Sequence, residues 1–157
     1  DFYERLRAKS VSGRATSPLR PQDFERFCAG PFQSFLRFRE IAFGDLRELV
    51  SPWGIQLVLL TQPHAFRQDY RPFGGADLRD TPELIGGYAS YEQTADLLGV
   101  INQQTRTWAQ KYGIPLIDLE KNFTKESPGP LFYDSVHYTR LGSEKVAAFI
   151  NQEMTYR

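Results

Sequence analysis

The sequence predicts an α/β fold built on a parallel sheet, and three observations indicate it. Two short, nearly continuous aliphatic runs, at residues 55–61 (IQLVLLT) and 114–119 (IPLIDL), are typical of parallel strands buried on both faces. Between them, from about Tyr91, apolar residues recur at helical spacing until Gly113, a residue suited to end a helix. Two strands joined by a helical crossover predict a right-handed β-α-β unit.

Two further helices are predicted, one before this unit and one after it. Residues 32–50 carry apolar side chains at three-to-four spacing, and a helix over about 139–153 begins where Thr139 can cap its first turn. Residues 62–90 show no periodicity, and connections of that length are often lids or binding loops. The side chains predicted to face inward are Phe32, Phe35, Leu36, Ile41, Phe43, Leu46, Leu49 and Val50 in the first helix, Leu97, Leu98, Ile101, Thr105, Trp108 and Ala109 in the crossover, and Leu141, Val146, Ala147 and Ile150 in the last.

The overall composition places the chain among ordinary globular proteins. Its 157 residues suit one domain, and 19 basic residues balance 19 acidic ones. A balanced charge gives no electrostatic reason to expect a nucleic-acid partner. No apolar run approaches the roughly 18–20 residues of a membrane span, so none is expected. Cys28 is the single cysteine, which excludes an internal disulfide and favours an inert thiol.

The predicted sheet has too few strands. Only two runs are convincing strands, and a two-stranded parallel sheet leaves each strand with an unpaired edge. The chain also opens on Asp1 without an initiator methionine. We therefore expect residues 1–157 to form a single but incomplete α/β domain, with other strands supplied by an N-terminal segment outside the chain or by a second polypeptide.

A binding site is expected beyond the carboxyl ends of the two strands, where open α/β sheets bind their ligands. These ends deliver Gln62 and His64 from the first strand, and the following loop adds Phe66 and Tyr70 as aromatic walls of an apolar pocket. We predict these four residues to contact the substrate. For His64 the favoured alternative is a loop histidine hydrogen-bonded to the backbone. Asp118, at the end of the second strand, is expected to cap a turn or bond a loop.

Asp134 and His137 form the sharpest pair of candidate catalytic residues. A carboxylate three residues before an imidazole, at a turn that leads into a helix, can accept a hydrogen bond from Nδ1 and leave Nε2 as a general base. This is the acid–base half of a Ser-His-Asp triad. The spacing also allows Asp134 to cap the turn and His137 to be a surface or packing residue.

The residues around this pair, YDSVHYTRLGSEKVAAFI, resemble the C-terminal Asp-x-x-His segment of the SGNH (GDSL-type) hydrolases. Two more stretches are similar to that family in the same order. GIQLVLLTQPH is similar to its late strand, and INQQTRTWAQKYGIPLIDLEKNF is similar to the helix and strand before the catalytic loop. The resemblance covers roughly residues 32–151.

The resemblance implies a flavodoxin-like three-layer α/β/α fold, of which the chain would be the C-terminal part. It further implies hydrolysis of a small-molecule ester, such as a lipid or an acylated sugar, through an acyl-enzyme without a cofactor. His137 would deprotonate a serine and Asp134 would orient His137.

The sequence departs from the family at its nucleophile. No Gly-Asp-Ser motif occurs, and none of the serines follows a strand in a nucleophile turn. The Gly-x-Asn-Asp segment is absent too, unless Asp1 is its last residue. We therefore expect the serine to lie upstream of residue 1, in the N-terminal part of the same protein.

Two alternatives stay open. One is a non-catalytic relative that binds a ligand or carbohydrate, and the other is an O-acyltransferase that uses the same triad. His64, Asp134 and His137 could in principle bind zinc, but their spacing matches no metal motif, and no metal site is predicted. The sequence selects no cellular compartment.

Overall fold

The computed structural model describes residues 19–66, 83–84, 87–123, 131–132 and 136–155, and these form a mostly helical structure around a small parallel sheet. In chain order the helices are α1 (Pro21–Phe27), α2 (Gln33–Val50), α3 (Tyr91–Tyr112), α4 (Leu119–Phe123) and α5 (Arg140–Thr155). The strands are β1 (Leu59–Leu60), β2 (Glu83–Leu84), β3 (Gly87–Tyr88) and β4 (Leu116–Ile117). A π-helical turn, Cys28–Phe32, joins α1 to α2, and a 3₁₀ turn, Ser51–Trp53, follows α2.

The predicted β-α-β arrangement is present as two parallel strands joined by a helix. β1 and β4 pair in parallel, with Leu59 opposite Leu116 and Leu60 opposite Ile117. The crossover helix α3 begins at a capping box, in which the Ser90 hydroxyl and the Gln93 side chain each bind the other residue's backbone N–H. It ends at Gly113, whose φ of 63° is the left-handed conformation that glycine adopts without a steric cost.

The strands are shorter and less buried than predicted. Only residues 59–60 and 116–117 pair as strands, and Leu119 of the predicted strand begins helix α4 instead. Ile55 and Leu60 are exposed, so burial of the first strand on both faces is wrong for this chain. The physical reason is that β1 is an edge strand: within the described residues it pairs with β4 on one edge and with no strand on the other. The region predicted to be irregular also contains the antiparallel pair β2–β3, which the sequence pattern missed.

Helices α3 and α5 contribute different contacts at the end of β4. Successive side chains of a strand alternate between its faces. Ile117 packs in the hydrophobic core with Val146 of α5, whereas the neighbouring Asp118 binds Arg106 of α3. The core cluster comprises Ala65, Ile117, Leu119, Phe123, Leu131, Phe132 and Val146, with Val58, Tyr138, Phe149 and Ile150 packed against it.

Helix α2 packs beside α3. The ring of Phe43 stacks on Trp108 at 4.5 Å between centroids, and the Arg39 guanidinium lies 5.1 Å from the Trp108 ring centroid. Phe32 and Phe43 are buried as predicted. The inward orientation predicted for Phe35, Ile41, Leu46 and Leu49 is wrong, because these side chains are exposed on the sides of α2 that α3 does not cover.

The inward face of the last helix is partly different from the prediction. Val146 is buried and Ile150 half-buried, but Leu141 and Ala147 are exposed. Gly142 and Phe149 take their places, since Gly142 touches the backbone of Leu131 and Phe149 packs edge-on against Phe123. Among the described helices, none combines the length and the apolar character that crossing a bilayer requires.

Candidate functional site

Thr61 joins the carboxyl ends of the two parallel strands. Its backbone N–H donates to the Ile117 carbonyl oxygen over 3.3 Å, and its hydroxyl donates to Asp118 Oδ1 over 2.9 Å. The same hydroxyl oxygen accepts the backbone N–H of Glu120 at 2.9 Å. Thr61 is almost fully buried, so both strand ends and the start of α4 are held in one geometry.

Arg106 of helix α3 lies over this junction and binds two carboxylates. Its Nε donates to Asp118 Oδ2 at 2.8 Å and its Nη2 to Asp118 Oδ1 at 2.9 Å, a bidentate pair. Nη2 also donates to Glu120 Oε2. The guanidinium thereby fixes α3 to the end of β4 and to α4.

These contacts shift the pKa values of their members. The Arg106 hydrogen bonds lower the pKa of Asp118 from 3.8 to about 2, with the backbone N–H of Lys121 and the hydroxyl of Thr61 contributing in the same direction, while partial burial opposes them. The hydrogen bonds that Arg106 donates to Asp118 raise the pKa of Arg106. Asp118 and Arg106 are therefore both charged at neutral pH. Asp118 bonds a loop and caps α4 as the sequence interpretation favoured, since Oδ1 accepts the Lys121 N–H at 3.1 Å.

His64 lies buried beside this cluster. Its Nδ1 accepts the backbone N–H of Phe66 at 3.3 Å, and its Nε2 lies 3.9 Å from Glu120 Oε1. An accepting Nδ1 carries no proton, so the neutral ring has its hydrogen on Nε2, facing the carboxylate. Burial lowers the pKa of His64, and the nearby Glu120 carboxylate opposes that effect in part. The backbone contact agrees with the favoured alternative of a loop histidine bonded to the main chain.

Gln62 and Phe66 flank His64 in different environments. The Gln62 backbone is held by the buried Asn102 of α3, whose Oδ1 accepts the Gln62 N–H at 2.8 Å and whose Nδ2 donates to the Gln62 carbonyl at 2.9 Å. The Gln62 side chain is exposed. Phe66 is buried, with its ring centroid 5.7 Å from that of His64 and 5.8 Å from that of Tyr91. Contact of Gln62, His64 and Phe66 with a substrate stays a prediction.

His137 lies on the turn that leads into α5, and its side chain is exposed. The next residue, Tyr138, forms a β-bridge with Phe132, and their ring centroids are 5.1 Å apart. Burial raises the pKa of Tyr138 to about 12. Its predicted partner Asp134 and the predicted pocket residue Tyr70 lie outside the described residues.

The start of α5 is fixed by two local features. The Thr139 hydroxyl accepts the Gly142 N–H at 3.1 Å, which confirms Thr139 as the cap, and the Thr139 N–H donates to the Leu131 carbonyl at 3.0 Å. A Cβ atom at Gly142 would overlap the carbonyl oxygen of Leu131. The turn that carries His137 is therefore anchored to the core on its C-terminal side.

Sequence reasoning missed Arg106, Glu120 and Asn102 as members of the site. Arg106 and Asp118 are 12 residues apart, on a helix and after a strand, and no local pattern links them. Asn102 offered a weak signal, because it is an amide in a helix at a position that periodicity places near the buried face. Such an amide needs partners for its hydrogen-bonding groups when it is buried.

The polar residues around Asp118 and the turn that carries His137 differ in the surroundings of their side chains. Arg106, Asp118 and Glu120 are paired with one another, and the buried His64 beside them accepts a backbone hydrogen bond, which suits a rigid support. His137, by contrast, is exposed. In the part of the chain that the structure describes, no group of three or more histidine, cysteine, aspartate or glutamate residues could hold a metal ion.

Comparison of the chain with known protein families, with curated proteins and with solved structures gives no match.

Proposed function

We propose that the chain is the acid–base portion of a serine ester hydrolase of the SGNH type, with His137 as general base and Asp134 as the residue that orients it. The observation that carries the proposal is the segment FYDSVHYTRLG at 132–142, an Asp-x-x-His directly before a helix. The resemblance of the surrounding residues to the SGNH segment adds to it. Of the two histidines, His64 is buried and His137 is exposed.

The surroundings of His137 support this role. A general base needs a side chain that reaches the substrate from a backbone that does not move. His137 is exposed, while Tyr138 and Thr139, which follow it, are bound to Phe132 and Leu131 of the core. The turn thus presents an accessible imidazole from a fixed position.

We further propose that the sheet belongs to a flavodoxin-like three-layer α/β/α domain. Support comes from the parallel pair β1–β4 and from the helix α3 that connects its strands. The remaining strands, and the serine, are supplied by the N-terminal part of the same protein, outside residues 1–157.

The proposed reaction has two acyl-transfer steps. The serine Oγ bonds to the ester carbonyl carbon as its proton passes to His137 Nε2. The tetrahedral intermediate collapses, the bond to the alcohol oxygen breaks, and His137 returns the proton to that oxygen. Water then attacks the acyl carbon and gives a proton to His137. The bond between the acyl carbon and the serine Oγ breaks, and His137 returns the proton to that Oγ, which leaves the acid and the free serine. The substrate is a small-molecule ester such as a lipid or an acylated sugar.

Replacement of His137 tests the proposal in the polypeptide that includes the serine. We expect His137→Ala to lower kcat/KM for a p-nitrophenyl ester by about 10³-fold or more, because the serine loses its base. Gln152→Ala, an exposed change on α5, serves as the control and should leave turnover unchanged. Full activity of His137→Ala would contradict the proposal. Failure of a fluorophosphonate to label a serine of that polypeptide would instead favour the non-catalytic binding module.

A further inference from the structure

A groove with apolar walls lies between α3 and the segment that joins α1 to α2. Its volume is about 360 Å³, within the roughly 300–1,000 Å³ that is usual for small-molecule sites. The described residues that line it include Phe27, Phe32 and Phe35 on one side and Leu97, Leu98 and Ile101 on the other. The groove is therefore large enough for a small ligand, and its walls are mostly aromatic and aliphatic.

The aromatic wall follows from the π-helical turn Cys28–Phe32. Phe27 and Phe32 are five residues apart, which is the spacing that a π-helical turn brings together, and their ring centroids are 6.0 Å apart. Phe32 and Phe35 have ordinary helical spacing, and their ring centroids are 6.2 Å apart. The three rings therefore form a continuous row that ends at Phe35, which is 44% exposed at the rim of the groove.

The walls of the groove offer little to hydrogen-bond a ligand. Among the described lining residues, Thr94 alone has a polar side chain, and its hydroxyl donates to the Ser90 carbonyl at 2.8 Å. An extended peptide laid in this groove would bury backbone N–H and C=O groups without partners, which is costly. A hydrocarbon chain has no such groups, so the walls favour an alkyl chain as the occupant.

Arg39 of α2 lies at the border of this groove. The carbon atom of its guanidinium group is 6.0 Å from the centroid of the Phe35 ring, and its Nη1 donates to the Ile101 carbonyl oxygen at 3.4 Å. Phe35 and Ile101 both line the groove. The side chain of Arg39 is half-buried, so a positive charge lies beside the apolar walls.

The Arg39 guanidinium has no carboxylate partner within the described residues. Nη1 also donates to Gln104 Oε1 at 2.7 Å, and Nη2 donates to Thr105 Oγ1 at 3.4 Å, and both acceptors are uncharged. Burial lowers the pKa of Arg39, whereas the hydrogen bonds to Asp118 raise the pKa of Arg106. No described hydrogen bond uses Nε of Arg39, and Nη2 has a second hydrogen. Arg106 binds Asp118 through this same edge, Nε together with Nη2.

We propose that the groove binds a carboxylic acid with an alkyl tail, of the free fatty acid class. The tail lies between the aromatic wall and α3, and the carboxylate accepts hydrogen bonds from Nε and Nη2 of Arg39. One guanidinium supplies one positive charge, which matches a carboxylate better than a phosphate dianion. This site requires neither the serine nor His137, so it goes beyond the proposed function and stands without it.

Calorimetric titration of the complete polypeptide with three probes, each below its micelle concentration, tests the site. We expect dodecanoate to bind with a stoichiometry of about one. Dodecanol, which has the tail without the charge, should bind at least about 10-fold more weakly, because it lacks the charge-assisted hydrogen bonds. Acetate, which has the charge without the tail, should give no measurable binding. The inference is overturned if dodecanoate does not bind, as when another segment fills the groove, or if dodecanol binds equally well.

Two arginine variants on α2 separate the charge from the tail. Arg39→Gln should weaken dodecanoate binding by about 10-fold and leave dodecanol binding unchanged, because it removes the charge from the border of the groove. Arg37→Gln, at an exposed arginine on the same helix, is the matched control and should change neither. An Arg39→Gln variant that affects both probes equally, or no more than Arg37→Gln does, would refute the proposed carboxylate contact.

Two tryptophan variants on α3 test the position of the tail. Leu98→Trp fills the groove and should weaken binding of dodecanoate and dodecanol alike by at least about 10-fold. Val100→Trp, at a side chain that is 46% exposed, should weaken neither. Unchanged binding to Leu98→Trp would place the tail elsewhere.

Photolabelling of the wild-type polypeptide locates the ligand without any variant. A dodecanoic acid that carries a diazirine on its tail should label residues within 27–35 or 94–101, as read by mass spectrometry of peptides. Excess dodecanoate should prevent this label. A label confined to other segments, or one that excess dodecanoate does not reduce, would overturn the inference.

Discussion

At the scale of single residues, the carboxyl ends of β1 and β4 show how a few polar atoms fix a junction. Asp118 accepts hydrogen bonds from Thr61, Arg106 and Lys121, so both of its oxygens are occupied. Removing its charge would leave the Arg106 guanidinium paired with Glu120 alone in this cluster. Loss of a partner from a partly buried charged group generally costs more free energy than the pair contributes when intact.

The pH dependence of stability should report this cluster. The pKa of Asp118 is about 2 in the folded chain and 3.8 ordinarily, so between these values the unfolded chain binds more protons. The stabilisation is complete above about pH 4 and is lost as the pH falls toward 2. Because Asp118 is partly solvated, we expect it to amount to about 1–2 kcal/mol.

The measurement is urea unfolding of the wild-type chain and Asp118→Asn between pH 2 and 6. The difference in their free energies of unfolding should shrink as the pH falls through this window. Asp45→Asn, at an exposed carboxylate on α2, is the control and should give a smaller, flatter difference. A difference for Asp118→Asn that is independent of pH would show that Arg106 does not hold the carboxylate in its charged form.

At the scale of elements, the position of α5 depends on a close approach between two backbones. Gly142 lies against the carbonyl oxygen of Leu131, and the Thr139 cap fixes the first turn of the helix at the same place. A side chain at Gly142 would push α5 away from the segment that it packs on. Since His137 lies three residues before the helix starts at Arg140, the same contact also sets where the imidazole lies.

Alanine substitution at two helical glycines should therefore have opposite effects. Gly142→Ala should destabilise the chain by about 1–3 kcal/mol through overpacking against Leu131. Gly99→Ala in α3 meets nothing within 4 Å, so it should stabilise by up to about 1 kcal/mol through helix propensity. Thermal or urea unfolding of the two variants measures both. Equal destabilisation by the two substitutions would contradict the close approach at Gly142.

At the scale of the whole molecule, the sequence has a candidate acid–base pair, Asp134 and His137, but no Gly-Asp-Ser nucleophile motif. None of its serines lies in a Gly-Asp-Ser motif. The parallel sheet likewise stops at two strands within the described residues. Both features are explained if the chain contributes one portion of a larger domain, as proposed above.

Residues 1–157 by themselves should therefore be unreactive toward serine-directed reagents. We expect no covalent labelling by a fluorophosphonate, because a serine that lacks an adjacent base and an oxyanion site is a weak nucleophile. Mass spectrometry of the treated chain gives the result directly. The longer polypeptide is the positive control, and its label should map outside these 157 residues. A label on a serine within the chain would contradict this expectation.

The sequence by itself determined the features that depend on local pattern. The aliphatic runs located both parallel strands, Gly113 located the end of α3, and Thr139 located the start of α5, because capping and periodicity act within a few residues. The spacing of Asp134 and His137 made them candidate catalytic residues, and the resemblance of the surrounding segment to the SGNH hydrolases favoured that role.

Only the tertiary structure decided which side chains are buried and which polar residues meet. Phe35, Ile41 and Leu49 have the spacing of a buried face yet are exposed, because they lie outside the contact that α2 makes with α3 among the described residues. Arg106, Asp118 and Glu120 form one cluster because the crossover helix folds back over the end of β4. Burial and long-range pairing depend on which helices and strands the fold places next to one another. The residue pattern of a single strand does not show whether its outer edge is covered.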